Sequence, residues 1–271
     1  MKKLLLGIIL PTFFVSCTTN AITNRRQLSL LNESELQKMS VEQYSTFLSQ
    51  NKVISAAGAS KDAKNAAMVR RVGERLVAAI TAYYSQKGLS KELEGYKWEY
   101  NLVDSKEINA WCMPGGKIVV YSGLLPVTEN ETSLAIVLGH EITHALAHHG
   151  NERMSQQMVA QGIGVAGGVL TSGNSQATSI FNNVYGPSAQ VGVLLPNSRK
   201  QELEADKYGL IFAAMAGYDP REAIPFWQRM AKSGGGKPPE FLSTHPADET
   251  RIQRLQELMP EALTYYKAKG S

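Results

Sequence analysis

The sequence predicts one α+β domain, mostly helical, with a small antiparallel sheet beside a central helix. Three observations predict it. Apolar residues recur at i, i+4 spacing along residues 62–86. Two short stretches, 97–104 and 117–122, read as strands on either side of a PGG turn. The remaining patterned segments are bounded by helix caps and stops, and no internal repeat interrupts them. Residues 34–271 are long enough for one substantial core.

The chain opens MKKLLLGIILPTFFVSC. Two lysines lead a short apolar run interrupted by Pro11, which predicts a secretory signal over 1–16 rather than a membrane span. Val15-Ser16-Cys17 resembles the lipobox of bacterial lipoproteins, although Phe14 replaces the usual leucine. That resemblance makes Cys17 the lipidated first residue of the mature chain, with 17–33 as a tether. The alternative is an ordinary secretory signal with an incidental cysteine. Loss of 1–16 removes Lys2 and Lys3, so the formal charge falls from +4 to +2 over 255 residues. A near-neutral chain gives no sign of a nucleic-acid partner. With Cys17 lipidated, Cys112 is the sole thiol and no intramolecular disulfide forms.

Charged and apolar residues recur at roughly helical spacing from Glu35 to about Ser60. The clearer helix is 62–86, with Met68, Val72, Leu76 and Ile80 as its core stripe. Strands 97–104 and 117–122 pair antiparallel in this reading. Thr128 and Glu131 form a capping box for a helix over about 129–149, which Gly150 ends. Residues 161–195, rich in Gly, Ala, Ser and Asn, read as a helical hairpin or loop. A helix follows over about 199–216 and stops at Gly217. Asp219-Pro220 with Glu222 starts another, limited or bent by Pro225. SGGGKPPE, 233–240, reads as a loop, and 247–258 as a last helix.

Four of the five histidines fall in GHEITHALAHHG, 139–150. His140 and His144 are four apart, so on a helix both imidazoles share a face and can reach one ion. Glu141 flanks that face without having to be a ligand. Two ligands with an adjacent base suit a zinc hydrolase. A catalytic zinc takes a third protein ligand. SRKQELEADKYG, 198–209, offers Glu202 and Asp206 on one helix face, with Asp206 able to hold a ligating histidine by its other ring N–H. Spacing alone does not choose Glu202 over Glu204, which reads as a solvated acid. His148 and His149 read as last-turn residues that favour the helix dipole.

HEITHALAHH, followed by ELEAD 58 residues after His144, resembles the M48 family of zinc metallopeptidases, whose pattern is HExxH then ExxAD. NAWCMPGGKIVVYSGLL, 109–125, RRQLSLL and STHPADETRI resemble the family's periplasmic lipoprotein branch, over roughly 24–258. The resemblance implies a zincin-type metallopeptidase domain with one Zn2+ per chain. It implies His140, His144 and Glu202 as metal ligands, Glu141 as catalytic base and Asp206 behind a ligand. It also points to a bacterial outer-membrane lipoprotein facing the periplasm, acting on unfolded or misassembled envelope proteins. The membrane-spanning helices of other branches are absent from this sequence.

His245, in THP, has two open roles: steadying the oxyanion as water attacks, or occupying the open metal position as a neutral imidazole. Arg251 reads as an ion-pair partner within the fold. Strand 117–121 reads as an edge to which an extended substrate adds, Asn109 to Gly116 as cleft lining, and 161–195 and 233–240 as lids. The competing function is a chaperone-like outer-membrane assembly factor with a latent or self-inhibited zinc site. A structural zinc site fits less well, since it takes four protein ligands and does not need Glu141.

Overall fold

The computed structural model describes residues 17–161, 175–185, 198–233, 241–242, 245 and 249–267. Residues 1–16, expected as a signal, and 234–240 of the expected loop lie outside them, as does most of 161–195.

The described chain runs β1 (Cys17–Thr19), β2 (Arg26–Leu28), α1 (Glu33–Gln50), β3 (Val53–Ile54) and α2 (Lys61–Gln86). It continues through β4 (Glu99–Val103), β5 (Ala110–Met113), β6 (Lys117–Tyr121), a short α3 (Leu125–Thr128), α4 (Glu131–Leu146) and α5 (His149–Ala160). Then come α6 (Ser175–Tyr185), α7 (Arg199–Met215), α8 (Ala223–Lys232) and α9 (Glu249–Tyr265). This is the expected α+β class, mostly helical. No described helix is long and apolar enough to cross a membrane.

The stripe on α2 behaves as its period predicts: Val72, Leu76 and Ile80 are fully buried, and Met68 lies at the margin of the core. These residues pack on one side of α4 and on Leu102, Ile118 and Val120 of the sheet. The sheet order is β3-β4-β6-β5. Strands β5 and β6 form an antiparallel hairpin across Pro114-Gly115-Gly116, whose glycines take φ of +78° and +82°. Strand β4 pairs with β6 in parallel, not antiparallel as expected. The chain between β4 and β5 crosses over so that β6 inserts between them. Alternation in 97–104 reports a half-buried strand but carries no direction.

That order also moves the free edge. Strand β6 is hydrogen-bonded on both sides and every residue in it is buried. The outer strand on the site's side is β5, which packs against α4. An added strand would therefore pair with Ala110–Met113 rather than with 117–121.

Several helix boundaries differ from expectation: α1 ends at Gln50 with β3 following inside the stretch read as helical to about Ser60, and α9 runs to Tyr265 rather than 258. Helix α4 is capped by Asn130, whose side chain accepts from Ser133 N at 2.8 Å; Thr128 ends α3 instead. The helix stops at Leu146, His148 takes a left-handed conformation (φ +55°), and α5 begins at His149. Gly150 is not a stop. It sits in the first turn of α5, where a Cβ would overlap the Tyr185 hydroxyl. Pro225 falls in the first turn of α8 and does not interrupt it.

Residues 17–33 are not a loose tether. Strands β1 and β2 pair Cys17 with Leu28, and Ile22 and Leu31 are buried in the cores. The Asn20 amide donates to Leu146 O at 3.2 Å, at the end of α4. The segment is a strap lying on the domain. Cys17 is exposed and Cys112 buried, neither in a disulfide. Of 161–195, the described part is α6, which buries Ala177, Ile180, Phe181 and Val184 against Met154 and Met158.

Candidate active site

Helix α4 is interior: all residues from Ser133 to Leu146 are buried. Its His140 and His144 project on one face, as their spacing requires. Helix α7 begins with a reciprocal capping box between Ser198 and Gln201 and presents Glu202 and Asp206 one turn apart. The two helices cross backbone to backbone. A Cβ on Gly139 would lie 2.7 Å from Gly209 O, and one on Gly209 2.8 Å from His140 N. Glycine at both positions is what lets the axes come this close, and the closeness delivers Glu202 to the two histidines.

Ligand-type atoms of His140, His144, Glu202 and His245 all lie within 4.8 Å of one another, and all four residues are buried. His140 Nε2 is 3.0 Å from His144 Nε2 and 3.1 Å from His245 Nδ1. Glu202 Oε1 is 3.3 Å from His144 Nε2 and 2.9 Å from His245 Nδ1, and Glu202 Oε2 is 3.4 Å from His140 Nε2. Four ligands at about 2.0–2.2 Å from a tetrahedral zinc are separated by about 3.3–3.6 Å, so these spacings fit one such ion with little movement. Among the described residues Glu202 Oε2 is buried without a hydrogen bond, although Arg251 Nη1 lies 3.2 Å away. The residues therefore fit a metal. His245 joins the other donors through Nδ1, and its ring stacks on Phe241 with centroids 4.6 Å apart.

The ring nitrogen of His140 that faces away from the cluster, Nδ1, is 3.0 Å from Asp206 Oδ1. Asp206 in turn accepts from Arg251 Nη2 at 2.6 Å and Nε at 2.9 Å. The Arg251 guanidinium lies 3.4 Å above the Trp227 ring. Arg251, expected as an ion-pair partner, thus buttresses the carboxylate that holds His140.

Burial opposes charge on every member, and the neighbours decide the outcome. Burial would lower the His140 pKa, but Glu202 and Asp206 outweigh it and hold it up at about 9. Burial would raise Glu202, yet His245 and His140 keep its carboxyl well below the usual range. Asp206 is held low against burial by Arg251 and His140. Burial, with His140 adding to it, pushes His144 well down. The centre of the cluster thus favours a positive charge, whether proton or metal ion.

Glu141 lies beside the cluster. Its Oε1 is buried without a hydrogen-bond partner among the described residues, with His245 Nε2 at 3.5 Å. Burial raises its pKa above the ordinary carboxylate value. A carboxyl so placed suits proton transfer.

The chemistry set out by the sequence left three residues aside that the structure brings in. His149, read as a helix-end residue, is fully buried with Nδ1 2.8 Å from His144 Nδ1. Its Nε2 is 2.8 Å from Glu204 Oε2, so Glu204 is no solvated acid. Arg25 of the strap donates to Glu204 at 2.7 Å and to both oxygens of Glu152 at 2.6 Å. The histidine count was the only signal; the chain reversal at His148 could not be read from it.

A model of peptidase family M48 matches residues 39–259, most of the chain. This chain belongs to peptidase family M48. It is 31% identical over 265 residues to human mitochondrial metalloendopeptidase OMA1, covering 95% of this chain and 49% of that protein. It is 36% identical over 168 residues to mitochondrial metalloendopeptidase OMA1 of Schizosaccharomyces pombe, covering 61% and 48%. It is 34% identical over 161 residues to the beta-barrel assembly-enhancing protease of Yersinia pestis, covering 57% and 33%. The chain thus spans about half or less of the length of these M48 relatives.

Proposed function

We propose that the chain is a zinc-dependent endopeptidase whose metal is held by His140, His144 and Glu202, with Glu141 as general base. The observation that carries this reading is the convergence of those three donors at 3.0–3.4 Å, with a buried carboxylate oxygen of Glu141 alongside that takes no hydrogen bond among the described residues. A zinc ion bound there supplies Lewis acidity and lowers the pKa of water towards about 7. Glu141 accepts the proton of the attacking water and returns it to the leaving amine. Asp206 fixes the tautomer and orientation of His140, and Arg251 fixes Asp206. An extended substrate adds to the β5 edge, 110–113, which reads backbone more than side chains and suits unfolded chains.

The cellular setting proposed is the bacterial envelope, with 1–16 as signal peptide, Cys17 as lipidated residue on the outer membrane, and 34–271 as the peptidase domain. Unfolded or misassembled envelope proteins are the substrates in this reading. The leader sequence and the relatives named beta-barrel assembly-enhancing protease support it; the mitochondrial relatives share the peptidase domain in a different compartment.

One observation favours a second reading, a latent site in an assembly factor. His245 Nδ1 joins the other three donors as a fourth ligand, where a substrate carbonyl or water would need room. We assign this contact to a closed state of the same enzyme. The test is cleavage of an unfolded protein by the chain and by its Glu141→Gln form at matched zinc content. Cleavage by the unaltered chain alone is expected. Zinc bound in both with cleavage in neither, even after His245→Ala, would overturn the peptidase reading.

A further inference from the structure

We propose that His149 is a positioning residue for His144, held in turn by Glu204 and, through it, by Arg25 on the N-terminal strap. This rests on His144 being a metal ligand, as proposed above.

The geometry leaves one consistent set of protons. His144 turns Nε2 to the ligand cluster, 3.0 Å from His140 Nε2 and 3.3 Å from Glu202 Oε1. A neutral imidazole carries one N–H, so a ring that gives Nε2 to a metal carries its proton on Nδ1. That Nδ1–H points at His149 Nδ1, 2.8 Å away, which must then accept. His149 therefore carries its proton on Nε2 and donates to Glu204 Oε2 at 2.8 Å. Glu204 Oε1 accepts from Arg25 Nε at 2.7 Å. No step in the series has two donors or two acceptors facing each other.

The two histidines of α4 are thus held by matching series. His140 is held by a carboxylate and then an arginine, Asp206 and Arg251, from α7 and α9. His144 is held by an imidazole, a carboxylate and then an arginine. The extra imidazole, His149, stands between His144 and Glu204, 2.8 Å from each. The left-handed residue His148 separates α4 from α5, and His149 at the start of α5 sets its ring 2.8 Å from His144. Gln201 adds a second tie, donating to Glu152 Oε2 at 2.7 Å, on which Arg25 also closes.

Packing and positioning predict opposite orders for two substitutions. His149→Phe fills the volume but offers neither acceptor nor donor. His149→Gln offers both from a smaller, flexible side chain. We would measure zinc affinity of the full chain by competition with a chromophoric chelator. Loss of such an outer contact typically costs about 10–100-fold in metal affinity. His149→Phe is expected to show a loss of that size and His149→Gln to recover most of it. Arg25→Gln should show a smaller loss. Lys52→Gln, at an exposed ion pair with Asp104 that takes no part in either series, should show none.

Unchanged zinc affinity in His149→Phe, or tighter binding by Phe than by Gln, would overturn the proposal. Should the Phe form fail to fold, ring 15N NMR of the unaltered zinc-loaded chain decides. His149 protonated at Nε2 supports the series, and protonation at Nδ1 refutes it. If His144→Ala binds zinc as tightly as the unaltered chain, the ligand assignment itself fails instead, which is a separate outcome.

Discussion

His245 Nε2 lies 3.5 Å from Glu141 Oε1 while the same ring's Nδ1 lies 2.9 Å from Glu202 Oε1. One imidazole therefore spans the proposed base and the proposed ligand set. On the closed-state reading proposed above, it would compete with substrate in that position. His245→Ala should keep zinc and raise the rate of cleavage of an unfolded protein. A tenfold rise corresponds to a closed state favoured by about 1.4 kcal/mol. A fall in rate at unchanged zinc content would instead make His245 the oxyanion partner.

Glu141→Gln removes the proton acceptor but keeps the shape. It should lower turnover by about 10²–10⁴-fold with zinc content unchanged, measured by cleavage assay beside metal analysis. His140→Ala and Glu202→Ala should instead lose the metal.

Gly209 faces His140 N across the α4–α7 crossing, where a Cβ would approach to 2.8 Å. Gly209→Ala should push α7 away and cost about 1–3 kcal/mol in a urea melt, as overpacking does. It should also weaken zinc binding, because Glu202 rides on α7.

Arg251 and Asp206 form a pair that is buried on both sides. Arg251→Ala leaves the buried Asp206 carboxylate with only His140 beside it and should destabilise the fold by about 3 kcal/mol, the low end for breaking a buried pair. Arg251→Lys should not restore it, since Lys cannot make the two-pronged contact or stack on Trp227.

Glu222 accepts from Arg229, Ser133 and Asn130 around the start of α4. Burial pushes its pKa up, but Arg229, Ser133 and Asn130 outweigh this and hold it below the ordinary value of 4.5. The sign follows from the lowered folded-state value: the stabilisation is present above about pH 4.5 and is lost as pH falls through the folded pKa. In Glu222→Gln, stability should fall less steeply with acid below about pH 4.5, read from urea melts across that range.

Periodicity made α2 and the histidine-bearing helix legible because a buried stripe and a shared metal face both repeat with the helical turn. Helix α7 was equally legible from Gly217 and the acidic pair Glu202 and Asp206. The direction of β4 was not, since alternation is the same in parallel and antiparallel strands. The place of β5 as the outer strand among the described residues was missed for the same reason. His149 was hidden by its place next to Gly150, which reads as a helix end. Its role depends on a single left-handed residue, His148, whose conformation no spacing rule supplies. Arg25 lay in a stretch that composition marks as a linker, and only packing shows Ile22 and Leu31 anchored in the cores.

The outermost supports of the two α4 histidines, Arg25 and Arg251, come from near opposite ends of the described chain. Arg25 reaches Glu152 and Glu204 across 127 and 179 residues, and Arg251 reaches Asp206 across 45. A chain still emerging from the ribosome, or cut short before α9, lacks Arg251 and with it the support of Asp206. On the reading proposed above, its metal site would be complete only once α9 has packed.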